Sequence, residues 1–223
     1  MGTDNLHHKR KAKKTKDHQR RIASRQPYDR VLIVCEGQKT EPFYFEELRK
    51  YYNLHSTNIK ITGNCDSSPT SILKKAEELF DDSKKERNPF DKVYCVFDRD
   101  DHSCYQEGRN RILAKKPQGT FFAITSTPCF EYWLLLHFEC RTAPFQSSGN
   151  RSMGDNVVKE LKKHIPNYHK GSKDIFSNLM SSLDHAIHNA DRIIHIAQGQ
   201  EFANPSTLVH ELVKYLKDLH TKS

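Results

Sequence analysis

Two apolar runs that each lead into acidic residues constrain this chain more than any other feature of its sequence. The first covers residues 30–35 and precedes Glu36, and the second covers residues 92–97 and precedes Asp98 and Asp100. Runs rich in β-branched and aromatic residues, without polar alternation, are typical of strands buried on both faces of a parallel sheet. The sequence therefore predicts an α/β protein with acidic residues at the ends of two strands.

The chain up to about residue 140 alternates strand and helix patterns. The predicted strands cover about 30–35, 58–62, 92–97 and 120–125, and the predicted helices begin near Thr40, Ser68, Cys104 and Pro128. Thr40 is a plausible cap of the first helix, and the last of these helices is predicted to run through Glu139. This order predicts a parallel sheet of about four strands with helices on both faces.

Beyond this region the sequence becomes helical. A polar loop at 146–154 suggests a boundary, and the helices that follow are predicted at about 155–164, 173–198 and 205–220. The predicted organisation is therefore a basic tail at 1–26, an α/β domain at 27–145 and a helical extension at 146–223 packed on that domain.

The amino-terminal tail is set apart by its charge. It holds nine Lys and Arg residues against two Asp residues, whereas the rest of the chain is nearly balanced. A tail of this composition is expected to be disordered when free and suits contact with nucleic-acid phosphates; the alternative is a solubilising arm without a specific partner. The candidate phosphate-contacting residues in it are Lys9, Arg10, Lys11, Lys13, Lys14, Arg20 and Arg21.

Composition excludes several classes of protein. No apolar run is long enough to cross a bilayer, and the amino terminus has no apolar segment typical of a secretory signal. The six cysteines are widely spaced and form no C-x-x-C pair, which favours reduced core cysteines over a disulfide framework or a zinc ribbon. We expect a cytoplasmic protein with no membrane contact.

The acidic strand ends point to a metal site. The carboxyl ends of parallel strands share one sheet edge, so Glu36, Asp98 and Asp100 are expected to lie close together. Neighbouring carboxylates repel unless a cation or proton separates them, and oxygen ligands favour Mg²⁺ or Mn²⁺. Lys39 could hold a phosphate nearby or be a solvated loop lysine. The alternative for the second acidic stretch is a loop that caps the following helix, through Asp98 or Asp101.

Three motifs stand in order along the chain, followed by two shorter signatures. They are Cys35–Phe45, Phe97–His102 and Pro128–Glu139, then Tyr168-x-Lys170 and Asn204-Pro205-x-Thr207. Together, over about residues 28–216, they resemble the RloB-like proteins. That resemblance implies a Toprim-related domain in which Glu36 is an acid/base or metal-adjacent carboxylate and Asp98 and Asp100 bind Mg²⁺. It also implies a nuclease of anti-phage or abortive-infection defence, encoded beside a partner ATPase.

Other polar residues have competing interpretations. Glu131, early in a helix that follows a strand, is a candidate catalytic or metal-binding carboxylate, or a favourable charge at a helix start. His102 adjoins the acidic loop and is a candidate for orienting a metal-bound water. His137 is expected to be packed or hydrogen-bonded and not catalytic. The histidines near 185–195 more plausibly form a polar surface than a metal site.

The leading functional hypothesis is a Mg²⁺- or Mn²⁺-dependent nuclease that hydrolyses phosphodiester bonds of DNA or RNA, tRNA included. A nuclease with an E-x-K motif is disfavoured, because Glu160 and Lys162 lie in a helical stretch. A phosphoacceptor receiver domain is disfavoured by the order of its acidic residues. The remaining alternative is a non-catalytic nucleic-acid-binding subunit that docks a partner ATPase, since this chain has no phosphate-binding P-loop. A homo-oligomer is compatible with the sequence.

Overall fold

A five-stranded sheet with helices on both faces forms the centre of the protein. The computed structural model describes residues 29–63, 68–99, 105–197 and 203–221. The strands are β1 (Val31–Cys35), β2 (Ile59–Thr62), β3 (Lys92–Asp98), β4 (Phe121–Thr127) and β5 (Ser206–Thr207), in the spatial order β2-β1-β3-β4-β5. The first four strands pair in parallel, and β5 pairs antiparallel with β4. The predicted α/β class is confirmed.

Eight α-helices surround this sheet in the part of the chain that the structure describes. They are α1 (Thr40–Tyr51), α2 (Pro69–Lys85), α3 (Tyr105–Leu113), α4 (Glu131–Leu135), α5 (Met153–His164), α6 (Ile175–Leu179), α7 (Leu183–Ile196) and α8 (Val209–Thr221), with a 3₁₀ turn at Met180–Ser182. Ser68 caps α2 by accepting a hydrogen bond from the Ser71 N–H, and Pro69 occupies the first turn, as helix starts favour.

The sheet is buried on both faces, which explains the unbroken apolar runs. Alternate residues of a strand point to opposite faces. Val31 and Ile33 therefore pack with α1, α4 and the C-terminal helices, while Leu32 and Val34 pack with α2 and α3. All four of these side chains are fully buried.

The C-terminal part contributes to the larger of the two cores. Side chains of α5 to α8 join those of α1 and α4 there. The segment before α8 is tied to the sheet at its edge, where the Ser126 and Thr207 hydroxyls lie 2.9 Å apart and Leu208 N–H donates to Thr125 O. The predicted domain boundary near residue 145 stays a prediction, and the tail at 1–26 lies outside the described residues.

Several local predictions were wrong. The helix expected to run through Glu139 ends at Leu135, and the one expected at 173–198 is interrupted by the 3₁₀ turn. The segment at 205–208 begins with strand β5 and not with helix. Lys39, not Thr40, is the N-cap of α1, and it makes no side-chain capping bond. Thr40 instead accepts a hydrogen bond from a distant loop, described below.

Within the described ranges, no helix is long and apolar enough to cross a membrane. Of the cysteines that the structure describes, Cys35, Cys95 and Cys129 are buried and free, and Cys140 is free and partly buried. This agrees with the prediction of reduced core cysteines for those four positions.

Candidate active site

The first two acidic residues of the predicted site meet at the carboxyl edge of the sheet. Strands β1 and β3 are direct neighbours, with Cys35 opposite Val96. The pairing continues one residue further, because Glu36 N–H donates to Val96 O over 2.9 Å. The Asp98 N–H in turn donates to Glu36 Oε2 over 3.0 Å. The structure thus brings Glu36 and Asp98 into contact across 62 residues of sequence.

This contact opens onto a cleft of about 530 Å³. It lies at the carboxyl edge of the sheet, and its lining comes from five segments of the chain. The lining segments are the loop and helix start at 36–41, residues 98–99, 128–131, Ser147 with 152–155, and 170–171. A concave site outside the carboxyl ends of parallel strands is where α/β proteins bind their ligands.

A third carboxylate of the cleft, Glu41, was not predicted as a site residue. It lies in the first turn of α1 and is only 8% exposed. Burial raises the pKa of Glu41 to about 7, repulsion from Glu131 and Glu36 adds to the rise, and a bond from its own backbone N–H opposes it. Glu41 lies only five residues after Glu36 in the sequence, which could have suggested that both belong to one site. A glutamate in the first turn of a helix is also common for helix stability alone, so the sequence did not distinguish the two roles.

Glu131 also lies in the cleft, at the start of α4, and it is almost completely buried. The Tyr168 hydroxyl donates to Glu131 Oε1 over 3.0 Å, and Lys170 Nζ lies 3.9 Å from the same oxygen. The attraction of Glu131 is the main cause of a raised pKa at Lys170. Burying a charged carboxylate is unfavourable unless it is paired and hydrogen-bonded, and these two partners meet that requirement.

The Cys129 thiol faces the same cleft without being an activated nucleophile. Burial raises the pKa of Cys129, and the charges of Glu131 and Asp98 raise it further. A thiol in such an acidic setting stays protonated at neutral pH, and the thiolate is the reactive form.

Two glycines allow the strand ends to approach each other. A Cβ placed on Gly63, which follows β2, would lie 2.2 Å from the backbone oxygen of Gly37 and 2.9 Å from Pro42 Cγ. Such contacts are far inside van der Waals distance, so only glycine fits where the loop after β1 passes the end of β2. Gly37 lies against the Glu41 carboxylate, which is the end of a side chain and can move, so this contact restricts the residue type less than the one at Gly63.

The remaining predicted site residues have different positions. Lys39 is exposed at the cleft and packs its methylenes against Gly171. His137 lies away from the cleft lining, 2% exposed, with Nδ1 3.1 Å from Trp133 O, and burial lowers its pKa to about 4. Its packed role is as expected. Outside the described residues lie Asp100, Asp101, His102, Lys9, Arg10, Lys11, Lys13, Lys14, Arg20 and Arg21.

The donor set at the cleft suits a hard divalent cation, although it is incomplete in the described part of the chain. Glu36 and Asp98 both line the cleft and can supply carboxylate oxygens, and Glu41 and Glu131 add further acidic groups to the same lining. Such oxygens are the ligands that Mg²⁺ and Mn²⁺ prefer. No three of these acids come within 4.8 Å of one another in the described ranges, and Asp100 lies beyond them.

A second acidic group lies elsewhere, between α7 and α8. Asp191, His210 and Glu211 have ligand atoms within 4.8 Å of one another. Lys214 Nζ lies 2.6 Å from Asp191 Oδ1 and 3.4 Å from Glu211 Oε1. An ammonium group therefore already balances these carboxylates, and the arrangement is that of an ion-pair network joining two helices.

The fold and the cleft define an α/β protein with a cluster of carboxylates at the carboxyl edge of a mainly parallel sheet. The model of the RloB-like protein family matches residues 31–216, so the chain belongs to that family. No curated protein and no solved structure matches the chain.

Proposed function

We propose that this protein is a Toprim-type nuclease that requires Mg²⁺ or Mn²⁺ and hydrolyses phosphodiester bonds of DNA or RNA, as an effector of anti-phage defence. The single observation that carries the proposal is the contact between the Asp98 amide and the Glu36 carboxylate. Two carboxylates from separate strand ends, placed together in a cleft, are a typical arrangement for binding a catalytic divalent cation.

In this proposal Glu36, Asp98 and Asp100 hold the cation. When bound, Mg²⁺ or Mn²⁺ would polarise the scissile phosphate and neutralise charge that develops on its oxygens. Glu36 would also accept the proton of the attacking water, whose oxygen forms the new bond to phosphorus as the bond to the leaving oxygen breaks. Glu131, the other candidate catalytic carboxylate of the sequence analysis, lines the same cleft, and its role is argued separately below.

The proposed partners follow from charge and from the family. The basic tail, with Lys39 at the cleft, would contact the phosphates of DNA or tRNA, and affinity should fall with salt concentration. A partner ATPase of a defence operon, acting with this chain in the cytoplasm, would supply any nucleotide hydrolysis. The oligomeric state is not part of the proposal.

The test is incubation of the purified protein with plasmid DNA and with total tRNA, in Mg²⁺, in Mn²⁺ and in EDTA, with and without the partner ATPase. Asp98→Ala is the test variant, and Asp191→Ala, in the second acidic group, is the matched control. We expect metal-dependent cleavage that Asp98→Ala abolishes and the control retains. Equal cleavage by both variants would refute the assignment, and binding without cleavage under every condition would favour the non-catalytic subunit.

A further inference from the structure

Three basic residues line the acidic cleft, and they differ in what their side chains contact. The guanidinium carbon of Arg99 lies 5.7 Å from the ring centre of Tyr105, over the start of α3. Lys39 packs its methylenes against Gly171 at the rim. Lys170 pairs directly with a carboxylate of the cleft, Glu131. The Lys170 ammonium group lies 3.9 Å from Glu131 Oε1, at the carboxylate that starts α4.

The loop that carries Lys170 is fixed in place from both sides. The Tyr168 side chain is 2% exposed and donates its hydroxyl proton to Glu131. One residue beyond Lys170, the Gly171 N–H donates to Thr40 Oγ1 over 2.9 Å, at the start of α1. Gly171 has a φ of +80°, a conformation that glycine adopts without strain. Lys170 is therefore held between two ordered anchors.

The two residues of this ion pair differ in how exposed their side chains are to solvent. The Glu131 side chain is 3% exposed, whereas that of Lys170 is 65% exposed. The same Glu131 oxygen is engaged by both Tyr168 and Lys170. A carboxylate held in this way is suited to orienting a cation, and the exposed ammonium group remains open to a ligand in the cleft.

We propose that Lys170 contacts a non-bridging oxygen of the substrate phosphate, and that Glu131 and Tyr168 are positioning residues that aim its ammonium group. This inference rests on the proposed function and assigns the phosphate-contacting cation of the same site. A preorganised cation that meets the charge developing on phosphoryl oxygens stabilises the transition state more than the ground state. The segment after α5 therefore adds a cation to a site whose carboxylates come from two strand ends and from the starts of α1 and α4.

The first test measures cleavage by wild type, Lys170→Ala, Lys170→Arg and Lys173→Ala. Lys173 is an exposed lysine on the same loop that does not line the cleft, so it is the matched control. We expect Lys170→Ala to lower kcat about a hundredfold with little change in KM, as loss of a transition-state contact does. Lys170→Arg should recover part of the loss. A Lys170→Ala protein with the kcat of wild type overturns the inference.

The second test needs no turnover and so separates this inference from the proposed function. Binding of inorganic phosphate in the presence of Mg²⁺ is measured by calorimetry for the same proteins. A charge-assisted hydrogen bond predicts at least about tenfold weaker binding by Lys170→Ala and unchanged binding by Lys173→Ala. If wild type cleaves nothing yet shows this pattern, the nuclease proposal fails and the phosphate contact stands. Equal phosphate binding by wild type and Lys170→Ala, or none by wild type, overturns it.

A double-mutant cycle tests whether Glu131 acts through Lys170. If Glu131 only positions the ammonium group, the Glu131→Gln change should add nothing once Lys170 is Ala, so the double variant should match Lys170→Ala in kcat. Independent roles predict that the two losses multiply. If the two losses in kcat multiply, Glu131 does not act by positioning Lys170 and instead contributes to cleavage independently.

Discussion

The two acidic groups of this protein differ in where they lie and in what balances their charge. The group at Asp191, His210 and Glu211 is the tighter of the two, but it lies between two helices and carries Lys214 within 2.6 Å of one carboxylate. The group at Glu36 and Asp98 is looser and lies at the carboxyl edge of the sheet, in a cleft of about 530 Å³. Of the two groups, the looser one is the one whose residues line this cleft.

Charge balance shows the same difference. Around Asp191 the ammonium of Lys214 is paired with both carboxylates. In the cleft, burial is the main cause of the raised pKa of Glu41, repulsion from Glu131 and Glu36 adds to it, and Lys170 opposes it. The proposed divalent cation would add positive charge among these neighbouring carboxylates.

The largest expected effect comes from neutralising Glu36. Glu36→Gln keeps the shape of the side chain but removes a charged ligand and the proposed proton acceptor, so cleavage should fall at least about a hundredfold. Asp191→Asn should leave the rate within about twofold of wild type. Steady-state kinetics measures the cleavage rates of both variants, on whichever of plasmid DNA or tRNA the wild-type protein cleaves. If Asp191→Asn is the damaging change, the functional roles of the two acidic groups are reversed.

The next effect concerns Glu41 and pH. Its folded-state pKa of about 7 lies above the usual 4.5, so its contribution to stability is fully present below pH 4.5 and is lost as pH rises through about 7. A shift of this size corresponds to about 3 kcal/mol. Without divalent cations, Glu41→Gln should therefore lose less stability than wild type between pH 4.5 and 8. Urea unfolding at several pH values in this range measures the free energy of unfolding of both proteins. The same pH dependence in wild type and Glu41→Gln would contradict the raised pKa of Glu41.

A smaller effect is expected at the glycine contact that shapes the cleft. Gly63→Ala places a methyl group against the Gly37 carbonyl and should lower the free energy of unfolding by about 1–3 kcal/mol. Gly154→Ala is the control, because its new Cβ would lie 3.6 Å from the nearest atom, Cys129 Sγ, in ordinary contact. Denaturant unfolding compares the two. Equal stability of the two variants would mean that the loops are not held at this distance.

The smallest effect is predicted for the second acidic group. Lys214 is partly exposed, so Lys214→Met should cost only about 0.2–1 kcal/mol, with the loss reduced at high salt. Cleavage should be unaffected. Thermal unfolding at low and high salt measures the change. A gain in stability from added Zn²⁺ or Mg²⁺ in this variant alone would show that removing the ammonium exposes a latent metal site.

Much of the sheet edge could be predicted from sequence because it depends on local patterns. An apolar run buried on both faces predicts a parallel strand, and parallel strands place their carboxyl ends together. That argument brought Glu36 and Asp98 to one place without any knowledge of the intervening helices. Strand β5 was not predicted by this argument, because two residues are too few to show the pattern typical of a strand.

The rest of the cleft depends on packing between distant segments. Nothing near Glu131 in sequence indicates that Tyr168 will donate to it from 37 residues away, or that Gly171 will bond to Thr40 across 131 residues. Tyr168 and Lys170 were visible only as a family signature. Glu41 was overlooked because a glutamate in the first turn of a helix is ordinary, and its burial follows from tertiary contacts alone.

Binding of Mn²⁺, followed by electron paramagnetic resonance without any substrate, tests the central claim most directly. We expect one site in wild type, at least about tenfold weaker in Glu36→Gln and in Asp98→Asn, and unchanged in Asp191→Asn. Mn²⁺ affinity that survives both changes at the sheet edge, or that is lost when Asp191 is changed, would contradict this account.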